Sequence, residues 1–233
     1  MKQISYFVIS LAVMLIILSC GEKQQKAIED ITIQYPDNTK VIFENDYVKA
    51  VEFMLKPGEK LPLHKGMPRA VYALTDYKIR WTEGDETSEK VWQKGDAHWH
   101  GALEHAIENI GDENANFIIV ARKQAALPET GEYDILKDAS AIDSEHSNIV
   151  LENEYVRVIE TSIPPQVSQS MHHGINRLIY ALTDYHIKYT SDKIETKDTK
   201  IDAGSAHWHR ADQHAVENVG TDMAQYLIFE FKK

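Results

Sequence analysis

The chain repeats itself at a spacing of about 108 residues, and that repeat limits its possible folds more than any other feature. Glu44-Asn45-Asp46-Tyr47-Val48-Lys49 returns as Glu152-Asn153-Glu154-Tyr155-Val156-Arg157, an offset of 108. Tyr72-Ala73-Leu74-Thr75-Asp76-Tyr77 returns at the same offset as Tyr180-Ala181-Leu182-Thr183-Asp184-Tyr185. Solenoid units run about 20–50 residues, whereas about 100 residues is the size of a whole small domain. The 233 residues therefore divide into two like domains, 35–123 and 144–233. Between them, 124–143 carries Pro128, Gly131 and several acidic residues without a clear period. It is either a linker or a strand-exchange arm.

Each unit has a β pattern. Val48 to Phe53 and Ala70 to Trp81 are rich in branched and aromatic residues with polar residues interleaved. Pro57-Gly58, Thr75-Asp76, Glu83-Gly84-Asp85, Gly95-Asp96 and Gly111-Asp112 break the chain into strand-length pieces. Many short strands with regular turns predict an all-β fold of sandwich or barrel type.

The histidines carry the chemistry. Gly95-Asp96-Ala97-His98-Trp99-His100 runs on to His105-Ala106-Ile107-Glu108-Asn109-Ile110-Gly111. Gly204-Ser205-Ala206-His207-Trp208-His209 runs on to His214-Ala215-Val216-Glu217-Asn218-Val219-Gly220. On a strand, side chains two apart share a face. His98 with His100, and His207 with His209, thus present paired imidazoles, and His105 or His214 can be carried alongside. Eight of the eleven histidines fall at matched positions, 64/172, 98/207, 100/209 and 105/214. His146, His173 and His186 have no counterpart.

The order Pro57-Gly58, His64, Tyr72-Ala73-Leu74, Gly95-Asp96, His105-x-x-x-Asn109 resembles the two consecutive motifs of the cupins. The second unit repeats it with His172, Tyr180-Ala181-Leu182, Gly204 and His214-x-x-x-Asn218. The resemblance implies two tandem cupin barrels of the double-stranded β-helix, or jelly-roll, type. It also implies a metal held by a His-x-His pair and a glutamate of the first motif, with the histidine of the second. Here the second histidine of the pair would fall at Gly66 and Gly174, and the glutamate at Arg69 and Arg177.

Two readings follow. The metal is lost, leaving a structural barrel or an organic-ligand pocket lined by hydrogen-bonded histidines. Alternatively the site is rebuilt: His64, His98, His100 and His105 hold one divalent ion, and His172, His207, His209 and His214 another. Paired retention of the histidines favours rebuilding, and imidazole ligands suit Fe, Zn, Cu or Ni. Arg69 and Arg177 are then clamps for a carboxylate or enolate substrate, or else salt bridges on the barrel wall. Asn109 and Asn218 share the face of the motif histidines and are expected to orient a ligand imidazole. Glu108 and Glu217 face away, toward the surface or a homodimer interface. Trp99 and Trp208 are expected in packing between sheets. Tyr72 and Tyr180 belong to the pocket lining or to the core.

The N-terminus has a different role. Lys2 followed by the apolar run Tyr6 to Leu18 is short of the ~20 residues that span a bilayer, which marks 1–19 as a signal peptide. Ile17-Leu18-Ser19-Cys20-Gly21 resembles the lipobox of bacterial lipoproteins, which implies acylation of Cys20, the only cysteine. Residues 20–34 form a tether, and the protein is expected at the cell envelope, held by lipid on the periplasmic side or outer membrane. The net charge of −11 excludes nucleic acid as a partner. The expected partners are a small-molecule ligand and, through the lipid alone, a membrane. The expected function is a metal-dependent enzyme on a small acidic metabolite or sugar acid, of isomerase, lyase, decarboxylase or dioxygenase type. A non-catalytic capture module for a small ligand or metal is the alternative.

Overall fold

The structure, a computed structural model, describes residues 30–232. Residues 1–19, expected as a signal peptide, and Cys20 with residues 21–29 of the expected tether lie outside the described residues. The first repeat is built from β1 (Thr39–Glu44), β2 (Val48–Leu55), β3 (Lys60–Lys65), β4 (Arg69–Ala73), β5 (Tyr77–Glu83), β6 (Glu86–Trp92), β7 (Ala97–His100), β8 (Glu104–Asn109) and β9 (Ala115–Arg122). The second is built from β10 (Ser147–Glu152), β11 (Val156–Ile163), β12 (Ser168–Gly174), β13 (Arg177–Ala181), β14 (Tyr185–Ser191), β15 (Lys197–Ile201), β16 (Ala206–His209), β17 (Asp212–Asn218) and β18 (Ala224–Phe231).

Each repeat folds its strands into a five-stranded and a four-stranded antiparallel sheet. The orders are β1-β2-β9-β4-β7 with β3-β8-β5-β6, and β10-β11-β18-β13-β16 with β12-β17-β14-β15. Two jelly-roll barrels result, as the short-strand pattern predicts. The inner strands of each five-stranded sheet are buried on both faces, and β4 and β13 have no exposed residue. Val71, Ala73, Phe117 and Ile119 face the interior of the first barrel. Their neighbours Ala70, Tyr72, Ile118 and Val120 face the other way, onto Leu178, Tyr180, Leu227 and Phe229 of the second barrel.

The barrels therefore pack back to back, with matched contacts in both directions. Tyr180 Oη donates to Glu52 Oε1 over 2.9 Å, and Tyr72 Oη donates to Glu160 Oε2 over 3.3 Å. Trp99 stacks on Tyr155 at 5.3 Å, and Trp208 on Tyr47 at 5.6 Å. Tyr72 and Tyr180 thus belong to the contact between barrels and do not line either cavity.

A single-turn helix precedes each barrel, α1 (Ile31–Gln34) and α2 (Ala139–Ile142), again 108 residues apart. Both have an aspartate N-cap, Asp30 and Asp138. Residues 30–34, expected in the tether, instead pack on the first barrel: Asp30 pairs with Lys49 at 2.6 Å and Ile31 lines the cavity. The end of the 124–143 segment does the same for the second barrel. Asp138 pairs with Arg157 Nη1 at 2.6 Å, and Arg157 Nη2 pairs with Glu230 at 2.6 Å. Tyr133 Oη donates to Asp138 Oδ2 over 2.9 Å.

Candidate functional site

Strand register brings the predicted residues together. In β4 and β7, Arg69 stands opposite His100 and Val71 opposite His98, and directly opposed residues share a face. In β3 and β8, His64 stands opposite His105, just past a bulge between Leu61 and His64 that sets its aim. His64, Arg69, His98, His100 and His105 all line one cavity of about 40 Å³. The second barrel repeats the set with His172, Arg177, His207, His209 and His214 around about 30 Å³. Ring centroids lie 4.3 Å apart for His64 and His105, and 4.7 Å apart for His98 and His100.

Two tryptophans that the sequence reading passed over complete the first site. Trp81 lies parallel to His105 at 4.1 Å and to His100 at 4.6 Å, and Trp92 covers His98 at 3.9 Å. The inward alternation Tyr77, Ile79, Trp81 on β5 is the signal that could have found Trp81. In the second barrel Tyr189 takes its place, 4.9 Å from His209 and 5.1 Å from His214.

The imidazoles are held neutral. Burial first, and the nearby Arg69 charge second, push His98 down to about 4, His100 to about 2 and His105 to about 3. Burial and Arg177 do the same to His207, His209 and His214, to about 4, 2 and 3. Neutral imidazoles could ligate a metal, but that of His105 is already engaged on both nitrogens. His105 Nδ1 lies 3.2 Å from the Leu103 carbonyl, and its Nε2 lies 3.0 Å from Arg69 Nη2. A guanidinium can only donate, so the Nε2 lone pair is already taken, by a cation. Among the described residues, no group of three or more His, Cys, Asp or Glu side chains is placed to hold a metal ion. As the side chains stand, the expected four-histidine centres do not fit one.

The guanidinium has room because of a glycine. A Cβ at Gly66 would stand 2.8 Å from Arg69 Cζ and clash with Nη1. One at Gly174 would stand 2.5 Å from Arg177 Nη1 and 2.9 Å from His214 Cε1. In each barrel, then, the arginine fills space that a side chain at the glycine position would need.

The two barrels differ in what answers the charge. Arg177 is 2 % exposed, and its Nη2 donates to Asp212 Oδ1 and to Tyr189 Oη, both over 2.9 Å. Asp212 also accepts from Tyr189 Oη at 2.6 Å and Ser191 Oγ at 2.7 Å. Burial alone would raise the Asp212 carboxyl, but His214 and Arg177 hold it well below the usual carboxylate range. Arg69 is 8 % exposed and meets the Met67 carbonyl at 3.1 Å and His105, but no carboxylate among the described residues. Burial pulls it down to about 10, so it stays charged at neutral pH. Near it, His98 Nδ1 is buried without a partner.

Asn109 and Asn218 do not orient an imidazole. Asn109 Nδ2 donates to the carbonyls of Leu55 at 2.9 Å and Glu113 at 2.8 Å, and its Oδ1 accepts from Gly111 N. Asn218 braces the equivalent turn through Ile163, Asp222 and Gly220. Glu108 faces outward as expected and pairs with Lys60 at 3.1 Å.

No protein-family model matches the sequence, and no curated protein matches it. Solved structures do. A single-site variant of Bacillus subtilis oxalate decarboxylase superposes with a TM-score of 0.60 at 13 % identity, over 82 % of this chain and 71 % of that one. The fold is that of two tandem cupin barrels. A Lactobacillus farciminis oxalate decarboxylase in complex with formate gives 0.57 at 11 % identity, over 81 % of this chain and 78 % of that one. AerE from Microcystis aeruginosa gives 0.56 at 14 % identity, over 84 % and 97 %. At such identities the likeness is one of cupin fold alone.

Proposed function

We propose that this chain is a cupin that binds a small organic monocarboxylate in its first barrel, with the Arg69 guanidinium supplying the positive charge. The observation that carries this reading is a buried guanidinium that lines a small cavity and has no carboxylate partner among the described residues. An uncompensated buried charge is costly, and a bound carboxylate relieves it with paired, charge-assisted hydrogen bonds. The unpartnered His98 Nδ1 offers a further polar contact. The cavity of about 40 Å³ has room for about three waters at ~10–15 Å³ each, which suits formate or acetate and not a sugar acid. Trp81 supplies a flat apolar wall, and Trp92 stacks on His98. That one similar cupin is an oxalate decarboxylase in complex with formate supports the same ligand class.

The test is a tryptophan-fluorescence titration with formate and acetate. Saturable quenching in the wild type, weakened at least tenfold in Arg69→Met, is the expected result. No saturable response, or an equal one in Arg69→Met, rejects the reading.

The metal-dependent enzyme is the second reading, favoured by the neutral imidazoles around each cavity. It requires Arg69 to release His105 Nε2, and metal analysis of protein purified without chelator decides it. The apolar run before Cys20 supports a lipid-anchored protein of the cell envelope, where the barrels would meet small acids outside the cytoplasm.

A further inference from the structure

We infer that the second barrel carries its own carboxylate in place of a ligand, so that Asp212 closes it and the first barrel alone binds. This rests on the reading that Arg69 is a carboxylate site. The register identifies the counterpart of Asp212: Gly174 pairs with Asp212, while Gly66 N bonds the carbonyl of Leu103. Leu103 is 47 % exposed and offers no charge. The same strand position thus holds a buried anion in one copy and a solvent-facing leucine in the other.

The surroundings of Asp212 are those of a bound carboxylate. One oxygen meets Arg177 Nη2 at 2.9 Å and His214 Nδ1 at 3.1 Å. The other accepts from two hydroxyls, Tyr189 and Ser191. The first barrel replaces those hydroxyl positions with Trp81 and Glu83, so nothing intramolecular reproduces the cage. An external carboxylate that met Arg177 would have to displace a covalently tethered one whose effective concentration is far higher. The strap over the second barrel is fastened by the Asp138–Arg157–Glu230 cluster, all below 5 % side-chain exposure. The first strap relies on Asp30, 28 % exposed, with Lys49. The first strap is thus the less firmly fastened of the two.

Equilibrium dialysis with carbon-14 formate counts bound ligand per chain, while tryptophan fluorescence reports the first barrel, where Trp81 lines the site and Trp92 stacks on His98. The expected result is one formate per chain, with the same midpoint by both methods. Leu103→Asp, at an exposed position that should not disturb folding, is expected to supply the missing internal anion and weaken binding at least tenfold. Asp212→Asn is expected to raise the count toward two. Two formates per wild-type chain, or unchanged affinity in Leu103→Asp, overturns the inference while leaving the Arg69 site standing. If Asp212→Asn folds and still binds one, the inference also falls. No Arg69-dependent binding in the wild type removes the underlying reading itself.

Discussion

Gly66 makes the space that Arg69 occupies: a Cβ at position 66 would sit 2.8 Å from the guanidinium carbon. The same relation holds between Gly174 and Arg177, so glycine and arginine work as a pair in both barrels. The fixed cation they install is the physical difference between these barrels and the metal-holding pattern their sequence resembles.

Replacing Gly66 with alanine is therefore expected to push the guanidinium off His105. Gly66 does not have the positive φ that only glycine favours, so the effect is steric and not one of backbone strain. Because the atoms in the way are the end of a flexible side chain, the cost lies at the low end for overpacking, about 1 kcal/mol. Urea unfolding should register that loss together with weakened formate quenching. A Gly66→Ala protein as stable as wild type and binding formate equally would show that the pairing has no consequence.

Stability should fall as the solution is acidified. All eight matched histidines have lowered pKa values, chiefly through burial. They are neutral in the folded chain, whereas in the unfolded chain they take up protons near pH 6.5. Their contribution is full above about pH 6.5 and is lost below it, at up to about 1.4 kcal/mol per pH unit for each imidazole. Asp138 and Asp212, held below the usual carboxylate range, add to the loss only below about pH 4. Thermal melts at pH 7.5, 6 and 5 should show a steep drop. A transition temperature that stays flat over that interval contradicts burial of the imidazoles.

The straps should differ in their response to losing their aspartates. Asp138→Ala leaves the buried Arg157 with Glu230 as its remaining carboxylate, which costs about 1.5–3 kcal/mol. Asp30→Ala breaks a partly exposed pair and should cost no more than about 1 kcal/mol. Chemical denaturation of the two variants side by side checks this order. Equal losses would mean that the second strap is no more firmly fastened than the first.

Cys20→Ser should release the protein from membranes, since a single thiol is available for acylation. Fractionation of cells expressing each form, with labelled palmitate, measures it. Membrane association that persists in Cys20→Ser would point to some other means of attachment.

Much of this was legible in the sequence, for reasons visible in particular residues. The duplication and the alternation along β2, β4 and β9 define the barrels, because strand periodicity is local. The gathering of His64, His98, His100 and His105 was also legible, since two-residue spacing fixes a common face. What could not be read was the direction of lone pairs and charges inside the cavity. That His105 Nε2 meets Arg69, and that Asp212 answers Arg177, depends on contacts across strands distant in sequence. Asn109 sits on the right face to touch an imidazole, yet its amide donates to the carbonyls of Leu55 and Glu113 instead.

The central claim is that the cation of the first barrel is a guanidinium. Its most direct test is formate binding, followed by tryptophan fluorescence, before and after treatment with a strong chelator, alongside metal analysis of the same sample. The expected result is no stoichiometric metal, binding unchanged by chelator and binding lost in Arg69→Met. One metal ion per barrel, with formate binding abolished by the chelator, would contradict it.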